Sequence, residues 1–410
     1  MSRSSNGVRA RTGETPDVVV VGAGVMGLWT AIHLLDAGLG VTVVDAFGPG
    51  DARQTSSDET RISRASHGGD ALYARWSRAA LRAWIELGDE AGTPTFVPCG
   101  VAWFAHRDHG FEAASEAALR TLAIPVERLT LTEAADRWPI ISTGDLAFVI
   151  HEPEAGALRA RVGIRAAADA VRRRGGEIRL DRARPGAEVG DRLTDVVTDR
   201  GERISAGSFV FAAGPWLPSL FPDLVGNLIS VTKQDVVHFG PVPGDGRFEA
   251  DRLPAWIDYD EAIYGIPGID GHGPKVPPDA YGPPFDPDAG DRIVDPASVR
   301  FVRDYLARRL PDLAGRPVIE SRVCQYESTP DTHFLIDRHP ALVNAWLVGG
   351  GSGHAFKQGP EIGRYAAALV TGGVPSNAPD DERFSLARDR RAGAGVRAGS
   401  DSARPVPATR

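Results

Sequence analysis

The chain has 410 residues, 42% hydrophobic and 24% charged, with a formal net charge of −8 and a pI near 5.7. Those proportions suit a folded globular chain, and the acidic balance leaves no electrostatic footprint for nucleic acid or an anionic membrane. Two cysteines, Cys99 and Cys324, exclude a disulfide scaffold and a multi-cysteine metal site, so no metal is expected and a reducing cytoplasm is the expected home.

Residues 1–16 are rich in Ser, Arg, Gly and Thr without apolar periodicity and read as a disordered leader. Asp17 to Val21 reads as a buried strand, too short for a signal-peptide core. Gly22 to Gly27 is a glycine loop, Leu28 to Ala37 a helix closed by Gly38 and Gly40, and Val41 to Val44 a strand ending at Asp45. Asp70 to Leu87 carries Leu72, Trp76, Ala80, Trp84 and Leu87 at helical spacing. Thr95 to Ala105 alternates like strands around Cys99-Gly100. Val162 to Arg174 is a helix, Glu177 to Leu180 a strand, Phe209 to Ala212 an apolar strand, and Val231 to Phe239 an amphipathic strand. Pro254 to Pro296 is thick with Pro, Gly and Asp and reads as long loops over a site. Val299 to Leu310 is a helix, Ala345 to Val348 a strand, Gly349 to Gly353 a second glycine cluster, and Pro360 to Val370 a helix. From 374 to 410 the chain is polar and Arg-rich and is expected to be a disordered tail. No apolar run approaches the roughly 20 residues of a membrane span.

Gly22-Ala23-Gly24-Val25-Met26-Gly27 fits the G-x-G-x-x-G dinucleotide fingerprint between a strand and a helix. Gly22 permits the tight turn, Gly24 lets a pyrophosphate approach the backbone, and Gly27 lets helix and strand pack closely. The helix N-terminus offers amide donors to the pyrophosphate, and Asp45 can bind ribose hydroxyls. The loop does not separate FAD from NAD. Two later segments favour FAD, because a long cofactor needs distant stretches to converge on it. One is Val210-Phe211-Ala212-Ala213-Gly214 with Pro215-Trp216, and the other is Leu347-Val348-Gly349-Gly350-Gly351-Ser352-Gly353. Lysine is rare: Lys233, Lys275 and Lys357 stand among 43 arginines. A compact, titratable ammonium differs from a guanidinium fork, which singles these positions out.

Residues 17–373 resemble the D-amino-acid-oxidase-like flavoproteins, in the monomeric sarcosine oxidase and N-methyltryptophan oxidase branch. The specific segments are Ser56-Ser57-Asp58-Glu59-Thr60-Arg61-Ile62-Ser63-Arg64, Cys324-Gln325-Tyr326 with Thr329-Pro330-Asp331-Thr332-His333-Phe334, and Gly353-His354-Ala355-Phe356-Lys357. The resemblance implies FAD joined to Cys324 through an 8α thioether, with Thr60, Arg61, Ala213, Gly214, Trp216, Gly351, Gly353, His354 and Phe356 beside the cofactor. It implies that Arg64 and Lys357 clamp a substrate carboxylate, that Lys275 activates oxygen, and that Tyr264 and Tyr326 line the substrate side. Cys99 reads as a core residue.

Three departures touch that side. The family histidine in the Ser56–Arg61 segment is missing, Asp279 replaces another histidine, and Ala355 replaces a glycine.

The expected fold is α/β. A Rossmann-like FAD-binding domain is assembled from 17–90, 151–230 and 323–373. A second, antiparallel-sheet substrate domain with helices comes from 91–150 and 231–322. The expected activity is oxidation of the C–N bond of a small secondary amine or N-methyl amino acid, with reduction of oxygen to hydrogen peroxide. The alternatives are an oxidase of a cyclic imino acid and a flavin dehydrogenase with another acceptor. A monomer or weak oligomer is expected.

Overall fold

The structure, a computed structural model, describes residues 15–379 and 382–388. The expected leader before Thr15 and the expected tail beyond Arg388 lie outside the described residues.

The strand Val18–Val21 is four consecutive valines, each 5% exposed or less. A β-branched run covered on both faces belongs at the centre of a parallel sheet. It pairs in parallel with Val41–Asp45 on one side and Ser208–Phe211 on the other. The full sheet runs in the order Leu335–Arg338, Ala345–Gly349, Ser208–Phe211, Val18–Val21, Val41–Asp45 and Glu177–Leu180. Only the edge strand Leu335–Arg338 is antiparallel to its neighbour. Strands from both ends of the sequence therefore sit side by side.

Helix Val25–Asp36 packs against the helix Gly359–Val370 at backbone distance. A Cβ on Gly363 would fall 2.4 Å from the carbonyl carbon of Trp29. The helix Ala71–Ala91 starts where the Asp70 side chain accepts hydrogen bonds from the amides of Leu72 and Tyr73, and ends at left-handed Gly92. It runs past the expected Leu87 because the first left-handed stop comes at Gly92.

A second sheet has the order Ile263–Gly265, Ala255–Asp258, Val101–Ala105, Phe148–Glu152 and Glu127–Leu129. It is antiparallel apart from the parallel pair Ala255–Asp258 with Val101–Ala105. Its aromatic side chains Trp103, Phe104 and Trp256 are 1% exposed or less. A long two-stranded ribbon of Ser230–Phe239 with Val318–Ser328 reaches toward the first sheet and sets Cys324 opposite Gln234.

The expected disorder from residue 374 does not hold for 382–388. Phe384 is 1% exposed and sits among Trp76, Phe334 and Tyr365. Arg388 pairs with Asp331 at 2.6 Å, and Ser385 donates to Asp337 at 2.9 Å. One aromatic with an apolar slot to fill pins a segment whose composition is otherwise that of a tail.

Candidate functional site

A long cavity opens at the C-terminal ends of the parallel strands, where open α/β sheets take their ligands. One end is the glycine loop. Gly22 has φ 112°, and a Cβ there would lie 2.3 Å from the Ala212 carbonyl oxygen. A Cβ on Gly27 would lie 2.0 Å from the Gly22 oxygen, so Gly27 serves helix–strand packing and stands behind the cavity wall. Gly24, Ala213, Gly214 and Trp216 line the cavity. Ser56 accepts from the Val25 amide at 2.9 Å, tying the helix start to the segment that carries Arg61.

Asp45 lines the cavity at the end of its strand. Its Oδ2 accepts from the Ala23 amide at 2.7 Å and from Gln54 Nε2 at 3.0 Å, and its Oδ1 from the amides of Phe47 and Gly48. The carboxylate therefore also latches the glycine loop to the next turn. Phe47 and Trp216 face each other at 5.3 Å, and Trp216 Nε1 donates to Asp288 at 3.0 Å.

The other end gathers Arg61, Arg64, Tyr264, Asp279, Cys324, Tyr326, His354, Phe356 and Lys357, with Gly351 and Gly353 between the two ends. Arg61 Nη2 lies 3.6 Å from Cys324 Sγ. The same guanidinium donates to Asp58 at 2.7 Å and to the carbonyls of Thr55, Ser57 and Thr60. Arg64 stacks 4.9 Å over the Trp103 ring and donates to the Ser66 carbonyl. Lys357 Nζ donates to the His354 carbonyl at 2.9 Å. Burial first, then Arg64 and Lys357, drive the His67 imidazole well below its ordinary value, so two cations converge beside a neutral histidine. Tyr326 Oη donates to Asp279 at 3.2 Å, and burial pushes the Tyr264 phenol up.

Besides Gly27, two expected residues stand behind the wall. Lys275 is 1% exposed, with its ammonium on Asp58 and, at 2.9 Å, on the Thr60 carbonyl. Thr60 meets that lysine through its backbone and does not line the cavity. Lys233 pairs with Asp291 at 2.8 Å. Cys99 is half-buried away from the cavity, and burial pushes its thiol up to about 11.

Sequence reasoning missed three lining carboxyls, Asp58, Asp235 and Glu327. Asp58 has φ 98° and faces Lys275, Arg61 and Arg322. Burial pushes its carboxyl up, but Lys275 and Arg61 outweigh burial and hold it well below the carboxylate range. Its signal was present as the replacement of the family histidine. Glu327 is 4% exposed beside Gly351, and only its place three residues after Cys324 could have marked it.

The cavity fits FAD. Gly22, where a Cβ would collide with backbone, and Gly24 line it, segments far apart in sequence meet around it, and a buried thiol stands in its wall. Among the described residues no His, Cys, Asp and Glu cluster could hold a metal, and no helix is long and apolar enough to cross a membrane.

The chain is 30% identical over 369 residues to the monomeric sarcosine oxidase of Streptomyces avermitilis, covering 88% of this chain and 95% of that protein. It is 29% identical over 389 residues to an N-methyl-L-tryptophan oxidase of Yersinia pestis, covering 91% and 99%. Among solved structures, L-proline dehydrogenase from P. horikoshii superposes with a TM-score of 0.80 at 21% identity, over 91% of this chain and 97% of that one. NikD, an unusual amino acid oxidase essential for nikkomycin biosynthesis, superposes with a TM-score of 0.76 at 22% identity, over 92% and 99%. The FAD dependent oxidoreductase (DAO) family matches residues 17–369, and the chain belongs to that family of FAD-dependent oxidoreductases.

Proposed function

We propose that this enzyme oxidises the C–N bond of a small amine bearing a carboxylate, with oxygen as the electron acceptor. The observation that carries the reading is the convergence of Arg64 and Lys357 at the Cys324 end of the cavity. When bound, FAD takes up the two electrons released as amine becomes imine, and oxygen receives them as hydrogen peroxide.

Arg64 and Lys357 hold the carboxylate, since two cations from distant segments fix both position and orientation. Tyr264, Tyr326 and Asp279 bound the space for the amine. The amine reacts as the neutral base, whose lone pair assists departure of the Cα hydrogen. Cys324 is the point of covalent attachment, and Lys275 serves the oxygen step through its field, at one remove from the cavity. The discontinuous parallel sheet carries FAD and the second sheet roofs the substrate side, in a cytoplasmic monomer or weak oligomer.

A cyclic imino acid is the second reading. It is favoured by Asp279, which brings a carboxylate to the wall and accepts from Tyr326.

The test is an anaerobic screen of flavin bleaching across N-methyl, cyclic and primary amino acids, followed by peroxide assay in air. Bleaching by a carboxylate-bearing amine, with stoichiometric peroxide, is expected. Bleaching without peroxide would make the enzyme a dehydrogenase, and no bleaching by any amine would end the reading.

A further inference from the structure

Glu327 stands on the strand Val318–Ser328, three residues after Cys324, and lines the cavity at 4% exposure. Its Oε1 accepts from the Gly351 amide at 3.3 Å. Its Oε2 has no hydrogen-bond partner among the described residues. The carboxyl is seated among glycines: a Cβ on Gly351 would lie 3.1 Å from Oε1, and a Cβ on Gly214 or Gly349 would lie 3.7 Å from Oε2. These belong to the Ala213–Gly214 turn and the late glycine crossing, both of which line the cavity. The carboxyl thus lines the cavity with one oxygen unmatched among the described residues. A buried polar atom without a partner is a standing cost that a ligand with the right group removes.

The protonation state follows from what surrounds it. Burial, the largest influence, pushes the carboxyl up to about 7, and the amides of Gly351 and Gly350 pull the other way. No charged side chain figures among those influences, whether from its own strand, the paired strand Ser230–Phe239, the Gly214–Trp216 turn or the glycine crossing. Among the described residues Glu327 has no ion pair to offset an ionised carboxylate beside an anionic pyrophosphate.

We propose that Glu327 binds FAD as a neutral carboxylic acid, donating a hydrogen bond from Oε2 to an oxygen of the cofactor's ribityl–pyrophosphate midsection. The inference rests on the FAD reading and assigns this residue a cofactor-holding role of its own. A raised carboxyl that must be protonated gives full affinity below its folded value and loses it as pH rises above.

The experiment titrates FAD into Cys324→Ala protein, where the cofactor exchanges freely, and follows flavin fluorescence from pH 6 to 9 with Glu, Gln and Ala at position 327. With Glu, the Kd is expected to be flat below about pH 7 and to rise by up to about tenfold per pH unit above it. Glu327→Gln keeps a donor and should bind within about threefold of the pH 6 value at every pH, while Glu327→Ala should bind at least about tenfold more weakly. Circular dichroism of the apo-proteins checks that each variant is folded. Equal affinities and equal pH profiles for all three side chains would overturn the proposal. So would a Gln variant weaker than Ala, which marks an ionised carboxylate accepting from a ribityl hydroxyl. Failure of the Cys324→Ala protein to bind FAD with Glu327 intact would instead strike the cofactor reading beneath it.

Discussion

The Lys275 ammonium donates to the Asp58 carboxylate, and both side chains are 1% exposed. Asp58 is shared: Arg61 reaches it at 2.7 Å and Arg322 at 3.5 Å. The two ends of the pair are therefore unequal. Lys275→Met leaves Asp58 with Arg61, whereas Asp58→Asn leaves Lys275 and Arg61 buried without their anion. Removing one partner so that a charge is left buried and unpaired costs about 3–5 kcal/mol. Urea unfolding should show Asp58→Asn near that loss and Lys275→Met well short of it. Equal losses would mean that Arg61 does not hold Asp58.

The same pair sets an acid limit. A carboxyl held below its unfolded value contributes stability above that value and loses it as pH falls toward the folded one. Wild-type stability should therefore drop below about pH 4, the ordinary carboxylate value. The drop should be shallower in Asp58→Asn. Parallel pH profiles for the two proteins would remove Asp58 from the acid transition.

Lys275 should matter more for oxygen than for amine. Loss of one preorganised electrostatic donor costs about 10²–10³ in rate. Stopped-flow reoxidation of Lys275→Met in air should slow by that order, with anaerobic reduction by amine changed much less. An unaltered reoxidation rate removes Lys275 from the oxygen step.

Covalent attachment at Cys324 predicts that acid-precipitated protein stays yellow and that a Cys324 tryptic peptide carries the flavin mass. The thiol lines the cavity beside Arg61, at 3.6 Å. Cys324→Ala should release its flavin into the supernatant. Complete release from the wild type would refute the link.

The glycine loop makes a steric prediction. A Cβ at Gly27 would meet the Gly22 oxygen, which is backbone and cannot swing aside. Gly27→Ala should lose FAD binding and destabilise the fold by about 1–3 kcal/mol. Gly144→Ala, with nothing within 4 Å of the added Cβ, is the control and should change neither. A Gly27→Ala protein with normal flavin content would mean that the helix can shift away from its strand.

The dinucleotide unit was legible because its information is local: a valine run, three glycines and an acidic strand end lie within residues 18–45. The strand Val318–Ser328 was not. Its outer half alternates exposed Ile319 with Glu320 and Arg322, and its partner Ser230–Phe239 is far away in sequence. No local period announces a twisted ribbon whose two faces change character along its length. Glu327 was missed for the same reason, since a glutamate reads as surface until the glycines that bury it are in place. Phe384 was missed because composition was averaged over a segment in which a single aromatic decides the packing.

The carboxylate clamp is the prediction on which substrate choice turns. Arg64 follows the strand Thr60–Ser63, and Lys357 lies in the turn Phe356–Gln358 after the late glycine crossing. Both line the cavity at 8% exposure or less, and both press on the neutral His67. Bringing two cations together costs hydration and mutual repulsion. The contacts of each with a carbonyl, Ser66 for Arg64 and His354 for Lys357, help to orient them. An anionic ligand offsets the repulsion, and removal of one partner from a desolvated charge pair costs about 2–5 kcal/mol. Arg64→Ala or Lys357→Ala should then raise the Kd of a carboxylate substrate or inhibitor at least about tenfold, the equivalent of about 1.4 kcal/mol. A matched amine without the carboxylate should bind the wild type and both variants alike. Titration of the folded fraction separates this from a structural role, because two cations that only brace the fold would lower stability and leave affinity unchanged. Equal wild-type affinity for the carboxylate ligand and its decarboxylated analogue would show that the pair holds something other than the substrate.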